Sequence, residues 1–275
     1  MTMPNDKRTL RMLLPFPRSK SSHHTIRHFL EAMKRHDLGL IEHGKRTAAY
    51  SLVLGRTLNR PHDDLVDLYQ AGLLHDLGKL TLPNQVVQQN GLSMIGEYLM
   101  AECSPQAGAE ILRPWPGLQR IAKIIALHHE RWDGHGHPFG MRGNLIPIEA
   151  RILSLADIVD QLFSQKDEPI SDQTNKLVGI LRMLSGTRFD PGVVEAFVNV
   201  FVPWIKHVGI RFAQEHGCAP EQRNTSSAST FTEFVLVHGG EALLATADGP
   251  SINSYLIDII ELTNPVSYDP TLTSP

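Results

Sequence analysis

Apolar positions recur at helical spacing from about Thr25 to His216, and the pattern predicts an all-α fold over this stretch. In IRHFLEAMKRH, residues 26–36, Ile26, Phe29, Leu30 and Met33 fall on one stripe. HGKRTAAYSLVLGRTL, residues 43–58, keeps the spacing through Ala48, Leu52 and Gly55 or Leu58. HDDLVDLYQAGLLHDLG, residues 62–78, opens with an acidic first turn and closes on Gly78, which reads as a helix stop. LQRIAKIIALHH, residues 118–129, is a short amphipathic helix entered after Pro116. IPIEARILSLADIVDQLF, residues 146–163, is apolar enough to be buried, with Pro147 suited to its first turn. Further helices are expected near 172–185 and 191–203, and a last helical piece up to His216.

The periodicity fails in three places. Residues 131–147 carry Gly134, Gly136, Pro138, Gly140, Gly143 and Pro147, and so predict a loop. The first 24 residues hold only a short apolar piece broken by Arg11, Pro15 and Pro17, which reads as a mobile leader. After Gly217 the composition shifts. CAPEQRNTSSAST is linker-like, FTEFVLVHGGEALLATADG has two apolar runs around Gly239-Gly240 that suggest a hairpin, and INSYLIDIIELTN fits strand or helix equally. The expected division is a leader at 1–24, a helical domain at 25–216 and a small appendage at 217–275.

Composition narrows the classes. The formal charge of −3 from 26 basic and 29 acidic residues leaves no footprint for duplex nucleic acid. No run approaches the roughly 18 apolar residues of a membrane span. Two cysteines, Cys103 and Cys218, make no disulfide framework and no CxxC pair, so a reduced, cytoplasmic setting is expected.

The chemistry is concentrated in ALHHERWDGHGHPFG, residues 126–140, with four histidines in fifteen positions. His128 and His129 are adjacent, and LLHDLGK offers a second adjacent pair, His75 and Asp76. Neighbours on a helix point about 100° apart, so each pair can serve one site only near a helix end, or if the ion sits between their directions. Asp157 stands among Leu153, Leu155, Ile158 and Val159, where a carboxylate is costly unless paired or bound to a metal. His43 opens another helical stretch and is a fourth contributor. Imidazole nitrogens with carboxylate oxygens suit zinc, manganese or iron, and Asp76 has two oxygens with which to bridge two ions. Lys79, one turn past His75, could hold a phosphate oxygen or the leaving group. Metal-assisted hydrolysis of a phosphate ester is the chemistry these groups support.

LLHDLGKLTLP, HHERWDGHGHPFGMRGNLIPIEARILSLADIVD and GTRFDPGVVEAF together resemble the HD-GYP family of the HD superfamily, over roughly residues 25–203. The resemblance implies a helical HD-domain bundle and a metal-dependent phosphodiesterase that opens cyclic di-GMP, a bacterial second messenger. By that resemblance the metal ligands are His43, His75, Asp76, His128, His129 and Asp157, and Lys79 lies near the scissile phosphate. Several positions depart from the pattern. His137 replaces the tyrosine of the GYP motif while Pro138 is kept, and Ser104, in SPQAG, replaces a ligand histidine. Gly39 stands where some members carry a glutamate for a third metal, so one or two ions are implied. FSQKDEPISDQ replaces a substrate-holding Arg-Pro-Tyr segment. Two alternatives follow: a degenerate binding or regulatory module without turnover, acting through a protein partner or a second copy of the chain, and a mononuclear nucleotide phosphohydrolase.

Overall fold

The structure, a computed structural model, describes residues 22–81, 104–163, 170–200 and 203. The chain divides into one compact unit of residues 1–165 and 173–200 and a second of 166–172 and 201–275, nearly all of which lies outside the described residues. The leader up to residue 21, the helical piece at 204–216, the linker, the hairpin at 231–249 and the segment at 252–264 therefore lie outside them as well. No helix among the described residues is long and apolar enough to cross a membrane.

Among the described residues the elements are all helical: α1 Ser22–His36, α2 Leu38–Thr57, α3 His62–Leu74, a 3-10 turn Leu77–Thr81, α4 Ser104–Leu112, α5 Gln119–Leu127, a 3-10 turn Gly143–Leu145, α6 Ile148–Phe163, α7 Ile170–Leu184 and α8 at 191–200. The α1 stripe is buried as its spacing predicts, with Phe29 edge-on to Trp115 at 5.9 Å. The helix starts at Ser22, inside the expected leader. α2 starts five residues ahead of the periodic pattern because the Asp37 carboxylate caps it, accepting from Gly39 N–H at 2.8 Å.

Two features the pattern misreads bear on the site. α3 ends at Leu74, four residues before Gly78. Gly78 lies within the 3-10 turn, where a Cβ would stand 1.9 Å from the Ser104 carbonyl oxygen. It is glycine for close packing against α4 and not as a helix stop. α4 itself has no counterpart in the sequence pattern. It is nine residues long, with Pro105 in a first turn that tolerates proline.

α2 and α3 approach closely. A Cβ on Gly72 would meet Ala48 Cα at 2.5 Å. α6 is the central buried helix, with Ile152, Leu153, Leu155, Ala156 and Val159 wholly enclosed. Each of the isoleucine, leucine and valine side chains among them contributes about 1.5–3 kcal/mol by burial. Asp64 on α3 accepts from Arg60 and from Arg120 of α5, both at 2.5 Å, and so ties α3 to α5.

Candidate metal centre

Both adjacent pairs lie at helix C-termini, the first of the two arrangements that adjacency allows. His75 is the C-cap of α3 and His128 the C-cap of α5. His43 comes from the second turn of α2 and Asp157 from the middle of α6. The imidazoles of His43, His75, His128, His129 and His137 form one continuous run, with successive centroids 4.9, 5.7, 4.2 and 5.2 Å apart.

Two donor sets lie along this run. In each, His43, His75 and Asp157 or His128, His129 and Asp157, one ligand atom per residue lies within 4.8 Å of the others. His43 Nε2 is 3.1 Å from His75 Nε2 and 3.0 Å from Asp157 Oδ1. Asp76 Oδ2 joins the first set, 3.6 Å from His75 Nε2 and 3.9 Å from His43 Nε2. The carboxylate common to both three-residue sets is Asp157, the role that the sequence pattern allows Asp76.

The imidazoles are oriented through Nδ1. His75 Nδ1 lies 2.8 Å from the Gly72 carbonyl oxygen and His128 Nδ1 2.6 Å from that of Ile125. A carbonyl can only accept, so both Nδ1 atoms donate, and Nε2 is the nitrogen that each ring can offer a ligand. His43 Nδ1 lies 2.7 Å from Asp160 Oδ2. His129 Nδ1 lies 3.4 Å from His137 Nε2.

Charge completes the picture. Burial, with His129 and His75 beside it, holds His128 well below its ordinary pKa, so it is neutral near pH 7. Burial would raise Asp76, but His75, Lys79 and His43 outweigh it and hold the carboxyl at about 2. Asp157 is likewise held well below the carboxylate range, against burial, by His43 and His75. Burial lowers His43, and its bonds to Asp157 and Asp160 more than compensate, so its pKa is raised to about 10. Buried ionised carboxylates and imidazole nitrogens are the donors a divalent transition metal takes, and these residues fit one: His128 is already neutral, and binding at His43 displaces its Nε2 proton.

Lys79 Nζ donates to Asp76 Oδ2 at 2.5 Å and is only partly buried. Ser104 is 3% exposed, and its Oγ has no hydrogen-bond partner among the described residues. Sequence reasoning missed two buried acids. Asp160 lies one turn after Asp157. Glu130, next to His129, accepts from Phe139 N–H at 2.7 Å and Met141 N–H at 2.9 Å, pinning the glycine-rich loop. Asp160 carried a readable signal, a second acid on the same apolar helix. Glu130 carried none, because an acid before a polar loop is ordinarily solvated.

The family model described as HD domain matches residues 28–193. A Vibrio cholerae serotype O1 protein named cyclic di-GMP phosphodiesterase is 37% identical over 140 residues, 48% of this chain and 28% of that protein. A second from the same organism, named 3'3'-cGAMP-specific phosphodiesterase 2, is 31% identical over 62% of this chain and 32% of its own length. The chain thus spans about a third of the length of these relatives. An HDGYP protein from Bdellovibrio bacteriovorus superposes with a TM-score of 0.49 at 19% identity, covering 65% of this chain and 62% of that one.

Proposed function

The chain belongs to the HD domain family, and on that premise we propose that it is a metal-dependent phosphodiesterase acting on cyclic dinucleotides, with cyclic di-GMP the first candidate. The observation that carries the reading is the pair of donor sets sharing the buried, ionised Asp157. The names of the relatives support the substrate class. Residues 25–216 form the catalytic domain in this reading, and 217–275 an appendage. The bacterial sources of the relatives and the cysteine usage support a bacterial, cytoplasmic protein.

His43, His75, Asp76 and Asp157 would hold one ion, and His128, His129 and Asp157 or Asp76 a second; iron, manganese or zinc suits these donors. Such an ion supplies Lewis acidity and neutralises phosphate charge. In the hydrolysis, water oxygen bonds to phosphorus, the bond from phosphorus to one sugar oxygen breaks, and a proton passes to that oxygen, which opens the ring. Lys79, anchored on Asp76, is within one turn of the HD pair and steadies a phosphate oxygen as charge builds there. Glu130 keeps the 134–143 loop folded back beside His129.

The test is metal analysis of the purified protein together with assays on cyclic di-GMP, 3'3'-cGAMP and an aryl phosphodiester, with Asp76→Ala as control. The expected result is bound metal in the wild type, little in the variant, and a linear dinucleotide product. Equal metal in wild type and Asp76→Ala would reject the site. Metal-loaded protein that binds cyclic di-GMP without cleaving it would favour the binding module. That outcome has a structural reason to be tested, because a serine hydroxyl is a weak stand-in for an imidazole at position 104.

A further inference from the structure

We infer that Asp160, seated by Arg46, is a positioning residue that fixes the His43 imidazole for metal binding; the inference rests on the metal-centre reading above. Asp157 and Asp160 lie one turn apart on α6 and approach the two nitrogens of one imidazole. Asp157 Oδ1 is 3.0 Å from Nε2 and Asp160 Oδ2 is 2.7 Å from Nδ1. Their roles differ because of Arg46. Its Nε donates to Asp160 Oδ1 at 2.6 Å and its Nη2 to Oδ2 at 2.9 Å, so both Asp160 oxygens are engaged. Asp160 is 1% exposed and belongs to neither donor set. It therefore acts through His43 and not as a ligand.

The carboxylate does what a carbonyl does for His75 and His128, and adds charge. An acceptor at Nδ1 keeps a proton there, so the proton that a metal displaces is the one on Nε2, the nitrogen that faces His75 and Asp157. A carboxylate acceptor also makes the imidazole a more basic ligand than a carbonyl does. Arg46 and His43 are three residues apart on α2, so the bidentate Arg46 contact holds Asp160 against the same face that carries His43. The result is a fixed bridge between α2 and α6 at the edge of the centre.

The experiment measures zinc affinity by chelator competition for the wild type and for Asp160→Ala, Asp160→Asn and His43→Ala, with melting of each metal-free protein alongside. Nitrogen-15 NMR of the zinc-loaded wild type reads the His43 tautomer. Asp160→Ala should bind zinc about 10- to 100-fold more weakly, the usual cost of removing an outer-shell partner. Asp160→Asn, which keeps one acceptor, should fall between it and the wild type. The NMR should show His43 protonated on Nδ1. A purely structural Asp160 would lower the melting temperature and leave affinity unchanged. Unchanged zinc affinity in folded Asp160 variants, or His43 protonated on Nε2, overturns the inference. If neither variant folds, the wild-type tautomer decides. A wild type that binds no zinc rejects the metal centre itself. A wild type whose affinity depends on His43 but not on Asp160 rejects this inference alone.

Discussion

Asp157 shows how a single residue can announce a site. A carboxylate inside the most apolar helix must be paired or bound, and the structure gives it His43, Gln161 and a place in both donor sets. An unpaired acid there would make the metal-free protein more stable on replacement. The observed pairing reverses that expectation. Asp157→Ala should strip metal from both sets and also destabilise the metal-free protein by about 1–3 kcal/mol, the range for leaving buried hydrogen-bonding partners unsatisfied. Metal counting and chemical denaturation check the two halves separately. Ser104 makes the opposite case. Its buried Oγ lacks a partner, and Gly78 beside it follows the HD pair by two residues. Ser104→His should raise metal occupancy toward two ions per chain, with turnover rising if the substrate pocket is competent. Unchanged occupancy in a folded variant would remove position 104 from the centre. The first set was legible because its members are unusual residues in unusual places. Asp160 was legible only as a second acid on an apolar helix and Glu130 not at all, because an acid declares its partners only once the chain is folded: for Asp160 an arginine 114 residues away, for Glu130 two backbone amides of the next loop.

At the scale of elements, the helix periods were legible and the junctions were not. The stripes of α1, α5 and α6 follow from spacing alone, whereas the end of α3 depends on contacts with a helix the pattern does not show. Gly78 has the composition of a helix stop and the surroundings of a packing contact, and only α4 distinguishes the two. The same reasoning applies between α2 and α3. His43 and His75 approach to 3.1 Å because the backbones meet at Gly44 and Gly72, next to one histidine and three residues before the other. A methyl at Gly72 has nowhere to go but into Ala48, 2.5 Å away, so the helices must separate. Gly72→Ala should cost about 1–3 kcal/mol in overpacking. It should also weaken metal binding, because the two imidazoles move apart with their helices. Paired measurements of denaturation midpoint and metal affinity check this. A variant destabilised in that range with wild-type affinity would show that the seam does not set the geometry of the first donor set.

For the whole molecule, the decisive fact is how far apart the ligands lie in the chain. His43, His75, His128 and Asp157 span 114 residues and arrive on α2, at the ends of α3 and α5, and on α6. An unfolded chain does not present them together, so metal binds the folded state and its binding free energy adds to folding stability. At a free metal concentration about one hundred times the dissociation constant, the gain is about 2.7 kcal/mol. Chelation should therefore lower the thermal midpoint, and re-addition of manganese or zinc should restore it. Two controls make the result specific. In Asp157→Ala, which lacks the carboxylate common to both sets, chelator should leave the midpoint nearly unchanged. In Lys79→Ala, where no ligand is lost, the chelator effect should persist while phosphodiester hydrolysis falls. A chelator shift of equal size in wild type and Asp157→Ala would mean that the stabilising ion sits elsewhere, and that the buried cluster joining these four helices is held by its own hydrogen bonds alone.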